Sequence, residues 1–424
     1  MTSVPGAERK RKKVLGKIEV VSRARYEGLD LDAKVELVRS LVPLGLLYIE
    51  ELLDAEVRAL AGERYRRKDE GMSGRRHGSN PGSVRLAGQR VAVRVPRVRV
   101  GAGEAPLHAY ARLRGTGEVD ELVLKRVLYG ISCRNYEAAA EAIPGALGLS
   151  PSTVSRRFIE ASAAKLRELQ ERDLAGEDIV ALFLDGKTFA DTMLVLALGV
   201  TLGGEKRVLG FVETDTENEK VLTPFLRSLV ERGLDVSHGL LVVIDGGKGL
   251  RAAVKGAFPH RALVQRCQWH KRENVVAYLG KEEQVSWRRR LQAAYDRPTY
   301  QEAHAALQRL QDELEVRNQS AARSLTEGLE ETLTLHRLGV YGVLGCSFKT
   351  TNCLESVNAL VEERCGKVDA WKSSGQRQRW LAAALLDIEP RLRRVRGYLH
   401  LRLLRDALQR DLGIGVQEAE RQIA

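Results

Sequence analysis

Long apolar runs, a paired set of cysteines and the common nucleotide and acyl-transfer motifs are what this sequence of 424 residues lacks. No apolar stretch approaches the ~20 residues of a membrane-spanning helix, so no membrane partner is expected. The first residues, Met1 to Gly6 and then Arg9-Lys10-Arg11-Lys12-Lys13, carry no apolar signal-peptide core, which makes a cytoplasmic protein the expectation. The cysteines, Cys133, Cys267, Cys346, Cys353 and Cys365, are odd in number and scattered, and this fits reduced thiols better than a disulfide framework. There is no Gly-x-x-x-x-Gly-Lys-Ser/Thr phosphate loop and no Gly-x-Ser-x-Gly nucleophile turn, which argues against ATP hydrolysis and acyl transfer. Asp185-Gly186-Lys187-Thr188 faintly resembles an aspartyl-phosphate phosphatase motif, but Lys187 stands where that chemistry expects a second acid. Internal repeats and long low-complexity tracts are also missing.

What is present is positive charge. Lys and Arg number 68 against 56 Asp and Glu, a formal charge of +12, which favours a polyanionic partner and above all nucleic acid. A hydrophobic content of 44% supports packed cores, and the length allows two or three domains.

Residues 1–70 are charged and helix-prone. Across 71–118 the composition turns to Gly, Ser, Arg and Val, and Val91, Val93 and Val95 alternate as in a half-buried strand. The alternation changes phase at Pro96, which suggests a bulge or an edge strand in a basic ribbon lined by Arg90, Arg94, Arg97 and Arg99. Residues 119–175 read as helical, with the outline of a helix-turn-helix from Tyr136 to Glu160: a helix over 137–143, a break at Pro144-Gly145, and a second helix opened by Ser150 as N-cap and Pro151 at its first position. Ser152, Thr153, Ser155, Arg156 and Arg157 on that second helix are candidates for DNA contact; an ordinary helical hairpin is the alternative.

Residues 176–270 read as an α/β unit with a mixed sheet. The expected elements are strands 179–185, 193–202 and 206–213, helix 218–232, strand 240–245, helix 248–257 and strand 262–266, with Gly203-Gly204 turning a hairpin. Residues 271–345 become helical throughout, 346–385 carry a further helix, and 386–424 form a basic helical tail. From Arg377 to Arg410 nine Arg face three acids, so this end is another candidate phosphate-contacting face.

Three carboxylates sit where short apolar runs meet polar residues. Asp185 follows Ile179 to Leu184, Asp245 follows Leu240 to Ile244, and Glu355 lies in Thr350-Thr351-Asn352-Cys353-Leu354-Glu355-Ser356-Val357-Asn358, a helix start. Acids at strand ends joined by one from a helix are a common means of holding two divalent ions, Mg²⁺ or Mn²⁺, for phosphoryl transfer. Each acid has a plainer reading: Asp185-Gly186 and Asp245-Gly246 are turn dipeptides, and Glu355 stands three residues after Asn352, as in a capping box.

The residues around them resemble a known family. Asp245-Gly246-Gly247-Lys248-Gly249-Leu250, Phe258-Pro259, Gln265-Arg266-Cys267-Gln268-Trp269-His270-Lys271-Arg272-Glu273-Asn274 and the Glu355 segment, with Asp185-Gly186-Lys187 and the Gly203-Gly204 hairpin upstream, are similar to the prokaryotic Mutator-like transposases of insertion sequences. Val95-Pro96-Arg97 and Gly130-Ile131-Ser132-Cys133-Arg134 fit the same pattern, so the resemblance spans roughly 60–385. It implies an RNase H-like catalytic core with a helical insertion between Asp245 and Glu355, preceded by helical and helix-turn-helix DNA-binding regions. Sixty residues lead from Asp185 to Asp245 and 110 from Asp245 to Glu355, and the longer gap has room for that insertion.

It further implies a DDE transposase that cleaves DNA at the terminal inverted repeats of its element and joins them to target DNA. At least a dimer would assemble on the DNA, nucleoid-associated when bound. Asp185, Asp245 and Glu355 would be the catalytic metal ligands, and the family's Cys-x-x-His falls on Cys267 and His270. That pair supplies two ligands where structural zinc takes four, so a place beside the acids is the better expectation. Trp269 either stacks on a base or belongs to the core. Lys187, Lys248, Lys271 and Arg272 are placed to meet the nucleic-acid backbone. Two alternatives lie in other classes: a non-catalytic DNA-binding regulator on the same scaffold, and an RNase H-like nuclease without strand transfer.

Overall fold

A computed structural model describes residues 49–64, 74–86, 89–114, 117–131, 150–189, 191–216 and 218–414. Contacts divide the chain into two units, Met1–Ala161 and Ser162–Ala424.

In the first unit, helix α1 (49–61) places Ile49, Leu53 and Val57 on one face at four-residue spacing. That face packs on Val84, Val91 and Val98 of an antiparallel sheet of β1 (Gly74–Leu86), β2 (Gln89–Val100) and β3 (Gly103–Ala105), in the order β1-β2-β3. The expected irregularity at Pro96 is a bulge: the register slips between Arg76 and Ser79, directly across from Pro96 to Val98. β3 pairs with Val98, Arg99 and Val100 alone, so Pro96 donates to no ladder on that side. Helices α2 (His108–Leu113) and α3 (Gly117–Leu128) follow, and the Glu56 carboxylate accepts the first amides of α2, from His108 at 2.6 Å and Ala109 at 3.0 Å.

Helix α4 (Pro151–Gln170) starts as its sequence dictates, with Ser150 Oγ accepting the Thr153 amide at 3.3 Å. The first helix and the break of the expected helix-turn-helix, like Cys133, lie outside the described residues. On α4, Ser152 and Arg156 are exposed and Thr153 and Ser155 half-buried. Arg157, only 7% exposed, departs from the expectation of a DNA contact. It shares the inner face of α4 with Val154 and Phe158, three residues and one residue away respectively.

The second unit is built on a five-stranded mixed sheet ordered β6-β5-β4-β7-β8. Its strands are β4 (Ile179–Phe189), β5 (Thr192–Thr201), β6 (Lys206–Thr214), β7 (Leu240–Ile244) and β8 (Ala262–Arg266). β4, β5 and β6 are antiparallel, while β4, β7 and β8 run parallel. Continuous apolar runs suit the central strands because both faces are covered. Leu182, Leu184, Val242 and Ile244 meet Leu222, Leu226 and Leu229 of α5 (Glu219–Glu231) and Leu250 and Val254 of α6 (Lys248–Ala257). Phe183 points to the other face, its ring stacked 5.5 Å from Phe348. Each fully buried Leu here contributes roughly 1.5–3 kcal/mol of apolar burial. The hairpin turn expected at Gly203-Gly204 is present, and Gly204, at φ 84°, lies so close to Tyr398 that a Cβ would strike its side chain.

β4 runs four residues past its expected end at Asp185, because the β4–β5 hairpin continues pairing as far as Phe189 with Thr192. Beyond β8 the chain is helical as far as Cys365, and the part before residue 350 has its own core. α7 (Gln268–Val276), α8 (Lys281–Tyr295), α9 (Tyr300–Arg317) and α10 (Gln319–Thr326) bury Val275, Trp287, Leu291, Leu307, Leu314 and Leu325 together. Short helices α11 (Leu329–Thr332) and α12 (Thr334–Arg337) and then α13 (Tyr341–Phe348) lead to α14 (Asn352–Cys365), which carries Glu355. α15 (Ser374–Ile388) and α16 (Leu401–Asp411) complete the unit.

The basic tail is neutralised at several points. Arg377 pairs with Glu213, Arg394 with Glu205 at 2.9 Å and Arg405 with Asp178 at 2.5 Å, so these three hold the tail to the sheet, while Arg393, Arg396 and Arg402 stay exposed. No helix among the described residues is long and apolar enough to cross a membrane.

Candidate active site

The last paired residues of the parallel strands β4 and β7 are Leu184 and Ile244. Asp185 and Asp245 come next on each strand, side by side at the usual strand spacing of ~4.8 Å. β7 stops there, whereas β4 goes on pairing with β5, Asp185 opposite Leu196. Asp185 therefore sits in a strand interior on one side and at a sheet edge on the other. It is 8% exposed, Asp245 is half-buried and Glu355 is exposed.

All three acids share one electrostatic space. Asp185 is pushed up to about 7, first by burial, then by the negative charge of Asp245; His270 opposes the rise and Glu355 adds to it. The Asp245 carboxylate also accepts the Gly247 amide at 3.0 Å, so the turn reading of Asp245-Gly246 holds alongside the clustering. The capping-box reading of Glu355 does not: Thr351 is the N-cap and makes no side-chain cap bond, which places Glu355 four positions into the helix instead of three.

The 110-residue gap is closed by buried polar residues at the end of β8 and the start of α7. The Cys267 amide donates to the Ile244 carbonyl at 2.7 Å and the Gln268 amide to the Lys349 carbonyl at 2.9 Å, so β7, α7 and the lead into α14 meet at one point. Thr351 Oγ1 lies 3.8 Å from Cys267 Sγ. Gln265 and Gln268 both donate to the Thr332 carbonyl, at 3.0 and 2.9 Å, and Gln265 accepts the Leu335 amide at 3.0 Å. Arg266, 6% exposed, donates to the Gly246 carbonyl at 2.6 Å and the Glu327 carbonyl at 3.0 Å, bracing the turn after Asp245 against the helical insertion. Gln265, Arg266, Gln268 and Thr351 stand in the family-like segments but carried no expected role there. A run of polar residues at a strand-to-helix junction was the available signal.

Cys267 is buried and, like Asp245, follows directly on the last pair of the β7–β8 register, Ile244 with Arg266. Burial alone would raise its thiol, but hydrogen bonding to His270 lowers it. His270 is half-buried and pushed up to about 9, first by hydrogen bonding to Cys267 against the cost of burial, then by the charges of Cys267, Asp185 and Asp245. Its Nδ1 is buried without a hydrogen bond of normal geometry. Trp269 is 42% exposed, its ring centroid 4.8 Å from that of His270 in an edge-on contact, so it lies outside the core.

Lys187 and Lys248 are exposed, as a backbone contact requires. Lys271 is not: it is 1% exposed, and its ammonium donates to the carbonyls of Ser324, at 2.6 Å, and Glu327. This corrects the expected phosphate contact, because an ammonium buried on two carbonyls is a structural brace. Arg272 is half-buried and donates to Gln292 Oε1 at 2.7 Å and to Glu273, again inside the helical insertion.

The family model described as "Transposase, Mutator family" matches residues 16–390. The chain is 27% identical to the transposase for insertion sequence element IS905 of Lactococcus lactis, over 80% of this chain and 86% of that protein. It is 29% identical to the transposase for IS1081 of Mycobacterium tuberculosis, over 66% and 68% respectively. To the transposase for IS256 in transposon Tn4001 of Staphylococcus aureus the identity is 26%, over 63% and 69%. With a match across nearly its whole length, and with strand-borne and helix-borne acids in the order that the family resemblance implied, the chain belongs to the Mutator family of transposases.

Proposed function

We propose that this transposase is a DDE enzyme, with Asp185, Asp245 and Glu355 as its catalytic acids on an RNase H-like core interrupted by the helical insertion. The observation that carries the reading is that Asp185 and Asp245 directly follow the last paired residues of adjacent parallel strands, while the charge of Glu355, 110 residues further on, adds to the rise at Asp185.

The donor set fits Mg²⁺ or Mn²⁺. Three carboxylates offer hard oxygens, and the repulsion that lifts Asp185 is relieved by a cation. Among the described residues, no three His, Cys, Asp or Glu side chains are grouped so as to hold an ion as they stand. Binding therefore requires side-chain rotation, for which the exposed Glu355 has room. Two such ions would acidify the attacking oxygen and neutralise the leaving one.

The protein's own groups position the reaction. Asp185 and Asp245 are fixed by the sheet, and Arg266 holds the turn beyond Asp245. With its pKa near 9, His270 keeps a positive charge at neutral pH beside the acids, where it can meet a phosphate oxygen. Lys187 and Lys248 stand at the rim to contact the DNA backbone. At an element end, a water oxygen forms a bond to phosphorus as the bond to the 3′ oxygen breaks, which frees a 3′-hydroxyl. That hydroxyl then attacks a target phosphodiester, exchanging one P–O bond for another without a covalent protein intermediate. Joining two ends in one event calls for at least two copies of the chain on the DNA.

The test is a nicking and strand-transfer assay on duplexes that carry the inverted repeats flanking the gene, with Mg²⁺ or Mn²⁺. The wild-type chain is expected to yield nicked and joined products, and Asp185→Ala to bind without cutting. Binding by wild type with no nick would leave a regulator, and nicking without end preference or joining would leave a nuclease.

A further inference from the structure

From Gly74 to Val100 the sequence holds seven arginines (Arg75, Arg76, Arg85, Arg90, Arg94, Arg97 and Arg99) and no Asp or Glu. β1 and β2 fold this stretch into a ribbon and align like charges. Arg75 pairs with Arg99 and Arg85 with Arg90 in the register. Directly opposed like charges destabilise a strand pair, so folding alone gives no reason for this pattern.

Among the described side chains, two of these arginines are neutralised. Arg76 pairs with Asp54 at 2.8 Å on the side of α1, and Arg97 with Glu104 of β3. Glu104 also lies in register with Arg99, and its charge reaches Arg99 and His77 as well. The side chains of Arg75, Arg94 and Arg99 are exposed and make no hydrogen bond or ion pair among the described residues. Where the bulge interrupts β1, the lining of a cavity of about 660 Å³ includes Arg64, Arg75, Arg76 and Arg97 beside a single acid, Glu63. Gly78, at φ 73°, has no atom within 4 Å of where a Cβ would stand, so the backbone leaves this cavity open.

We propose that the solvent face of the β1–β2 ribbon is a docking surface for duplex DNA, with Arg75, Arg94 and Arg99 on phosphates. Three features select this partner. The charge is of one sign over the whole ribbon. The thirteen residues of β1 extend over roughly 40 Å at ~3.3 Å per residue, enough to follow a full turn of duplex at ~34 Å. A two-stranded ribbon also fits the major groove, about 12 Å wide. The opposing face is unavailable, since Val84, Val91 and Val98 are covered by α1. The inference rests on the reading of the chain as an enzyme acting on DNA, and it names a surface apart from the acids.

The experiment uses the full chain and a duplex carrying the inverted repeat. Affinity is measured by fluorescence anisotropy across a salt series for wild type and for Arg75→Gln/Arg94→Gln/Arg99→Gln, with thermal unfolding in parallel. Three lost phosphate contacts should flatten the slope of log affinity against log salt by about 2.7, at ~0.9 per contact. The unfolding midpoint should hold or rise, because a like-charge pair has gone. A role in folding would move the midpoint down instead. Should the triple variant not fold, Arg94→Gln alone is expected to flatten the slope by ~0.9. An unchanged slope and affinity in a folded variant overturns the proposal. Nicking by the wild-type chain is read separately: a chain that never nicks yet loses salt slope in the variant fails the catalytic reading and keeps the ribbon, and one that nicks with the slope unmoved does the reverse.

Discussion

Gly246→Ala is a small perturbation with a large expected effect. Gly246 follows Asp245 at φ 116°, and a Cβ there would stand 2.0 Å from Arg266 Nε. Left-handed or similarly strained backbone costs a residue with a side chain about 1–2 kcal/mol. The clash adds more, because Arg266 is 6% exposed and must move off the carbonyls of Gly246 and Glu327. Losing even one hydrogen bond to a buried charge costs about 1.5–3 kcal/mol, for a total of roughly 3–5 kcal/mol. For a unit of this size that lowers the unfolding midpoint by ~10 °C. Movement of the turn also shifts Asp245, and misplacement of a reacting group by ~1 Å costs on the order of 100-fold in rate. Gly339→Ala is the control: its φ is 71°, but no atom lies within 4 Å of the new Cβ, so only the strain remains. Differential scanning fluorimetry and a strand-cleavage time course read both effects. If Gly246→Ala melted with Gly339→Ala and cut DNA at the wild-type rate, the bracing role given to Arg266 would be wrong.

Glu213 supplies a pH dependence. Burial would raise its carboxyl, but hydrogen bonds from Ser374, Arg377, Gln378 and Thr192 outweigh that and hold it at about 2, below the usual 4.5. A depressed acid stabilises the fold fully above 4.5 and loses that stabilisation as pH falls toward 2, so wild type should lose on the order of 2 kcal/mol across that window, measured by chemical denaturation, while Glu213→Gln shows a flatter profile. Lys271→Ala, which leaves the carbonyls of Ser324 and Glu327 unpaired, should lower the unfolding midpoint, whereas Lys187→Ala should leave the midpoint alone and weaken DNA binding with a salt slope smaller by ~0.9. A Lys187→Ala variant with unchanged binding would remove Lys187 from the interface. Leu226→Ala should cost about 2–5 kcal/mol in unfolding free energy, because Leu226 is 1% exposed between α5 and the sheet; a loss under 1 kcal/mol would contradict that packing.

Much of the sheet was legible because fully buried strands announce themselves as unbroken apolar runs. Ile179 to Leu184 and Leu240 to Ile244 fell where they were expected, and so did the helix that carries Glu355. The end of β4 was not legible, since Gly186 to Phe189 look like a turn until β5 is there to pair with them. Charged side chains were read least well. Arg157 and Lys271 look like surface cations in sequence, but helical periodicity and two backbone carbonyls draw them inward. The arginine-rich tail likewise conceals partners distant in sequence, Glu213, Glu205 and Asp178. What sequence could not supply at all was how Glu355 returns to the aspartates. That depends on Gln265, Arg266 and Gln268 gripping the backbone of the helical insertion; their polarity at a strand end shows in the sequence, but their partners, more than 60 residues away, do not.

The claim that two strand-borne aspartates and one helix-borne glutamate act as a single centre is tested most directly by comparing single and combined removals. Strand-cleavage rates are measured for Asp185→Ala, Asp245→Ala, Glu355→Ala and the triple variant on duplexes bearing the inverted repeats, with end binding checked for each. Groups that work as a unit lose nearly everything with the first member, so each single variant is expected to fall to the rate of the triple while still binding. A Glu355→Ala chain that cleaves well above the triple variant would contradict the account.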